Sequence, residues 1–245
     1  MHTLKNAAAC AALLTTLSAS VMAESVNLAS LDWPPYTGAK LPGQGISAQV
    51  VTAVFVKAGI DSQFKFLPWQ RAVDTARSDA SFVGYFPEYA DPNSPCLFSE
   101  PIGHGPLGFA EQRGKPIGWS ALGDLKSIKI GVVAGYVNTA DFDRMVAAGE
   151  LKADVATSDE LNLLKLANGR FDLAVVDQNV MHYLLQTSPK LKPLAAKLQF
   201  NTKLLEDKSL HVCFTNSPAG KQALAKFNEA LKQVDVQQLN QNAQR

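Results

Sequence analysis

Neither sign of charge dominates this chain of 245 residues, in which 23 lysines and arginines face 22 aspartates and glutamates. That balance argues against nucleic acid or an anionic membrane as the main partner. Histidine is scarce, and the three beyond His2, namely His104, His182 and His211, are far apart and show no paired metal-ligand spacing. G-x-S-x-G, H-E-x-x-H and a phosphate loop ending in Gly-Lys-Ser/Thr are all absent, which removes three common catalytic and nucleotide-binding signatures. No metal and no cofactor is expected. No apolar run reaches the roughly 20 residues that span a bilayer. Repeats and low-complexity segments are missing too.

What is present begins with a leader. His2 and Lys5 give a basic start, Ala7 to Leu17 an apolar run, and Val21-Met22-Ala23 a cleavage region. Residues 1–23 read as a cleaved secretory signal peptide, with Glu24 as the mature start. Cys10 sits inside the apolar run instead of after it, so lipidation there is not expected. Loss of the leader removes Lys5 and no acid, leaving 22 basic against 22 acidic residues. Hydrophobic residues at 47% supply ample material for a core. Cys96 and Cys213 remain in an exported chain, where an oxidising compartment invites a disulfide. The alternative is a pair of buried thiols.

Short apolar strands alternate with helical patterns. After an opening strand, Ile46, Val50, Val51, Val54, Phe55 and Ala58 recur at helical spacing, and Gly59 stops that helix. Ser62 to Leu67 reads as a strand, Gln70 to Ala76 as a helix and Ser81 to Gly84 as a strand. The pattern restarts with Ile128 to Val133 as a strand, Thr139 to Ala148 a helix, Asp154 and Val155 a short strand, Ser158 to Ala167 a helix, and Phe171 to Val176 a strand leading into a helix from Gln178. This order predicts mainly parallel α/β sheets in two lobes. The chain is expected to leave lobe one near Phe109 and to return through "SLHVCFTN", before a helix capped by Ser217 with Pro218 in its first turn. The expected division is lobe one at 24–108 plus 209–245 and lobe two at 109–208, with two crossing strands as a hinge.

These segments together carry a resemblance. "DWPPYTG" after the first strand, "GISAQVVTAVFVKAG", "FLPWQRAVDTARS", "CLFSEPIG", "LGDLKSIKIGVVAGYVNT", "NGRFDLAVVDQNVMHYLL" and "LHVCFTN" follow the order and spacing of periplasmic solute-binding proteins of the polar amino-acid type, extracellular solute-binding protein family 3. The chain resembles that family over nearly all of its mature length. The resemblance implies a type II periplasmic binding protein fold, a periplasmic monomer, a small polar solute in the cleft, and docking to a membrane ABC permease.

The family places aromatic side chains against its ligand at positions matched by Trp33 and Trp69. An indole offers broad apolar contact and a π face at little entropy cost, while Pro34 and Pro35 order the loop in advance. Tyr36 either joins the pocket or covers the sheet end. Asp177 matches the acid that takes the ligand's ammonium, although its place before a helix also suits an N-cap. The turn Gly135, Tyr136, Val137 and Asn138 opens a helix whose free N–H groups suit a carboxylate. Tyr85 is also expected to line the site. One departure stands out. The arginine usual after the third strand is absent from "GYFPEYADPNSPCLFS", leaving Arg71 as the replacement considered, or else as a solvated helix residue. Glu88 in that segment adds negative character. Glu88 and Asp177 together suit a cationic or zwitterionic solute.

The expectation is a receptor and not an enzyme. Two alternatives are a secreted cyclohexadienyl dehydratase-like enzyme, with Glu88 or Asp177 as acid, and a ligand-sensing module for a separate membrane kinase.

Overall fold

The structure, a computed structural model, describes residues 24–91 and 94–242. The expected signal peptide lies outside the described residues.

Along the chain, β1 (Glu24–Ser30) is followed by α1 (Ile46–Lys57), β2 (Ile60–Phe66), α2 (Trp69–Ser78), β3 (Phe82–Tyr89) and β4 (Leu97–Phe98). After β5 (Gly103–Gln112) come β6 (Lys129–Val133), α3 (Ala140–Ala147), β7 (Lys152–Ala156), α4 (Asp159–Ala167), β8 (Leu173–Asp177) and α5 (Gln178–Thr187). The chain returns along β9 (Leu198–Phe214) and ends in α6 (Pro218–Leu231) and α7 (Val236–Asn242). Helix starts follow local chemistry: Thr139, Ser158 and Ser217 each accept a hydrogen bond from an amide of the first turn. Such a cap is worth about 1 kcal/mol. Gly59 ends α1 at a φ of 73°, a conformation that glycine adopts without a Cβ penalty.

Strand order is β2-β1-β3-β9-β5-β8-β6-β7, and β4 also pairs with β9. β1 lies parallel to β2 and β3, and β6 lies parallel to β7 and β8. Between these parallel blocks, β9 and β5 run antiparallel, with Gly103 opposite Leu210 and Gln112 opposite Leu198. The two long strands therefore carry the sheet from one lobe into the other. Each lobe packs its own aromatic core. Phe55, Phe214 and Phe227 meet at centroid distances of 5.0 to 6.5 Å in one. Phe109 meets Trp119 at 5.5 Å and Phe142 at 6.1 Å in the other. The chain is thus α/β and two-lobed, with two crossing strands.

Several strands are longer than their sequence suggests, among them β7, which spans Lys152–Ala156 and not only Asp154 and Val155. β3 continues past Gly84 to Tyr89 and is buried throughout, because it lies between β1 and β9. β9 begins at Leu198 instead of near Ser209, and its polar stretch Thr202 to Lys203 is exposed at an irregularity in the pairing with β5, which resumes on either side at Phe200 and Leu204. α7, not anticipated, lies against α1 and β5. Cys96 and Cys213 form a disulfide with Cα atoms 5.3 Å apart.

Candidate functional site

The loop after β1 folds tightly on itself. Trp33 N–H donates to Thr37 O at 2.8 Å and Tyr36 N–H donates to Trp33 O at 3.0 Å, which stacks the Trp33 and Tyr36 rings with centroids 4.7 Å apart. α2 starts at Trp69, and the carboxyl end of β3 adds Tyr85, Glu88 and Tyr89. Lobe two faces these groups with the β6–α3 turn, with Asp159 in the first turn of α4, and with Asp177 at the end of β8. The rings then meet edge to face. Trp33 lies 5.9 Å from Tyr89 and 6.4 Å from Tyr136, while Trp69 lies 5.5 Å from Tyr85 and 6.1 Å from Tyr136.

Polar contacts close the lobes directly on each other. The Trp69 indole N–H donates to Gly135 O at 2.9 Å. Gly135, at a φ of 76°, thus brings its carbonyl to the opposite lobe. The Tyr36 hydroxyl lies 3.2 and 3.1 Å from the two oxygens of Asp177, and the Tyr89 hydroxyl donates to Asp177 Oδ2 at 3.4 Å. Asn179 Nδ2 donates to the Tyr36 hydroxyl at 2.8 Å. Asp177 Oδ1 also accepts from the amides of Asn179 at 2.8 Å and Val180 at 3.1 Å, the N-cap geometry of α5. Gly105 on β5 makes room for this knot, since a Cβ there would lie 2.2 Å from Asp177 Oδ2. Asp177 is 1% exposed and its oxygens are taken by protein donors. Of the two roles read from sequence, capping is the one the geometry displays.

Two cavities open at the lobe boundary. The inner one, about 20 Å³, is walled by Trp33, Trp69, Tyr89, Tyr136 and aliphatic groups, with Glu88 as its charged residue. It has room for about one water. The outer one, about 520 Å³, is polar and includes Gln70, Arg77, Tyr85 and Ser94. Trp69, Glu88 and Val137 border both. Glu88 is 8% exposed, and its Oε1 accepts from the Tyr89 amide at 2.9 Å.

Several expected ligand groups are placed otherwise. Arg71 is exposed on α2 and borders neither cavity; the arginine of α2 that borders the outer one is Arg77. In the β6–α3 turn, Tyr136 N–H donates to Val133 O at 3.2 Å and Asn138 N–H donates to Asp143 Oδ2 at 2.8 Å, so both amides are occupied within their own lobe. Asn138 Nδ2 also donates to Asp143 Oδ1, at 2.7 Å. Val137 does border the cavities. Tyr89, Arg77, Asp159 and Asn179 were not singled out from sequence. Asp159 and Asn179 sit in the opening turns of α4 and α5, and the position after a strand's carboxyl end is the signal that would have found them.

Burial dominates the electrostatics. It pushes the Glu88 carboxyl up to about 8, with Asp91 raising it further and the Tyr89 amide, Arg77 and Lys208 pulling it down. It pushes Asp177 up to about 7 against the amides and the Tyr36 hydroxyl that stabilise its charge. Asp159, held by the Tyr136 hydroxyl at 3.1 Å, is pushed up to about 6. The Trp33 indole N–H also pulls Asp159 down but meets no hydrogen-bond geometry and stays without a partner. Each carboxyl holds its proton more tightly folded than unfolded. Their stabilising contribution is therefore full below about pH 4 and is lost as pH rises through about 6, 7 and 8. His211 opposes them, because burial lowers its pKa and its contribution grows with rising pH. Three acids outweigh one imidazole, so the ligand-free melting temperature is expected to be higher at pH 5 than at pH 8.5. A melting temperature that rises across that interval would contradict this reading of the cleft.

No protein-family model and no curated protein sequence matches the chain. Solved structures do. A histidine kinase sensor domain with similarity to periplasmic binding proteins superposes with a TM-score of 0.75 at 16% identity, over 90% of this chain and 94% of its own. An ancestral arginine-binding protein bound to glutamine gives 0.71 at 17% identity, over 91% and 97%. An ancestral amino acid-binding protein, a precursor of cyclohexadienyl dehydratase, gives 0.68 at 14% identity, over 89% and 93%. At these identities the likeness is one of fold: the chain has the two-lobed periplasmic binding protein fold.

Proposed function

We propose that the chain is an exported receptor that traps a small polar solute between its lobes and presents the closed form to a membrane partner. The observation that carries this reading is the pair of cavities at the lobe boundary, walled from one side by Trp33, Trp69 and Glu88 and from the other by Tyr136 and Val137. A solute that touches both walls favours the closed arrangement in proportion to its differential affinity. In this reading residues 1–23 direct export to the periplasm, and the listener is an ABC permease. Likeness to a histidine kinase sensor domain supports a second listener, a separate membrane kinase. No helix among the described residues is long and apolar enough to cross a membrane. The reading is of a binding protein that leaves its solute unchanged, in contrast to a dehydratase on the same fold.

A thermal-shift screen of the exported protein against amino acids, polyamines, opines and small organic acids tests it. A ligand at 100 times its Kd stabilises by about 2.7 kcal/mol, which for a chain of this size raises the melting temperature by about 5–10 °C. Absence of any shift across these classes would remove the receptor reading. Consumption of prephenate or arogenate by the protein would replace it with the enzyme.

A further inference from the structure

Glu88 stands where the two cavities meet, and the polar tips of the rings around it, the Trp33 indole N–H excepted, are already committed. The Trp69 N–H goes to Gly135 O, the Tyr136 hydroxyl to Asp159 and the Tyr89 hydroxyl to Asp177. These rings therefore offer the inner cavity carbon faces and edges. Among the described residues no lysine or arginine forms an ion pair with Glu88; Lys208 pairs with Glu206 at 3.6 Å and lies over the Tyr89 ring at 5.5 Å. The inner wall is an aromatic box with one carboxyl group.

Such a box discriminates between cations. A primary ammonium brings three N–H donors, and Glu88 is the one side-chain acceptor uncommitted to a partner across the lobes; donors left unpaired in a dry cavity carry a desolvation penalty. An ammonium alkylated to the tertiary or quaternary level brings one N–H donor or none. Its charge is spread over C–H groups that pack against π faces, which is where rings attract cations best.

We propose that Glu88 and the rings of Trp33, Trp69 and Tyr136 form a seat for an alkylated ammonium group, whose polar remainder extends into the outer cavity beside Gln70 and Arg77. The proposal rests on the receptor reading and names the class of its solute. The inner cavity as it stands holds about 20 Å³, so the head group enters as the Tyr136 turn of lobe two moves away from Trp33 and Trp69. The outer cavity, about 520 Å³, accommodates the remainder without further opening.

Matched pairs that differ only in N-methylation test this: tetramethylammonium against ammonium, choline against ethanolamine, and trimethylglycine against glycine. Binding to the exported protein is read by tryptophan fluorescence and calorimetry. At least one methylated member is expected to bind tenfold or more tightly than its partner, and Glu88→Gln, which keeps the shape of the side chain, is expected to weaken that binding at least tenfold. The melting temperature of ligand-free Glu88→Gln separates loss of contact from loss of fold, and is expected to match or exceed that of the parent. No methyl preference in any pair, or undiminished binding by a folded Glu88→Gln variant, overturns the proposal. If a neutral or anionic solute binds instead, the receptor reading stands and this one falls; if nothing binds, both fall.

Discussion

Asp177→Ala is expected to lower the melting temperature of the ligand-free protein by about 4–16 °C, at 2–4 °C per kcal/mol for a chain of this size. The substitution removes the cap from Asn179 and Val180, worth about 1 kcal/mol, and leaves the hydroxyls of Tyr36 and Tyr89 facing a buried gap at a further 1–3 kcal/mol. Tyr36→Phe separates these effects. It keeps the cap and deletes the hydrogen bond between lobes, so its thermal loss is smaller, about 1–2 kcal/mol. Its effect on binding has the opposite sign. The closed, empty arrangement leaves the inner cavity almost no room, so a solute competes with the Tyr36–Asp177 contact, and weakening that contact raises the fraction of molecules open to ligand. The thermal-shift screen repeated on both variants checks this. An Asp177→Ala protein that melts within 2 °C of the parent yet loses more than tenfold in affinity would instead make Asp177 a direct ligand contact.

Sequence carried the fold further than it carried the site, and particular residues show why. Helix starts are local events: Thr139, Ser158 and Ser217 cap within three residues of themselves, and each was visible as a polar residue before an apolar period. The crossing strands were legible as an extended apolar segment near Phe109 and a second near Val212, although the polar half of β9 hid its true start. Its pairing with β5 is a long-range match that no local period announces. Long-range matches also decide the site. Trp33 and Trp69 do reach the lobe boundary, as their loop and helix positions suggest. Whether Asp177 faces a solute or a tyrosine depends on Tyr36, which is 141 residues away in sequence. Arg71 and Arg77 differ by six positions on α2, and only the fold, which sets Arg77 with Tyr85 and Glu88 around one cavity, distinguishes the one beside it.

Breaking the Cys96–Cys213 bond is the second large effect. The bond closes a loop of 117 residues in sequence, and constraint of the unfolded chain over such a length is worth about 4–5 kcal/mol. Reduction, or Cys96→Ala with Cys213→Ala, is therefore expected to lower the melting temperature by about 10–15 °C. The location limits the consequence to stability. Cys213 lies on β9 opposite Tyr85 of β3 and Phe98 of β4, so the bond ties together strands of lobe one. Every residue of lobe two falls inside the loop, yet no part of the bond spans the cleft. Lobe closure does not stretch or relax it. Affinity measured well below the melting temperature is thus expected to be unchanged by reduction, even as thermal stability falls. Two free thiols in denatured, unreduced protein, or a melting temperature indifferent to reductant, would show that the exported chain does not depend on this bond. A parallel loss of affinity would show that the frame around Tyr85, whose hydroxyl lies 3.1 Å from Cys96 Sγ, and Glu88 relies on the bond for its geometry as well as its stability.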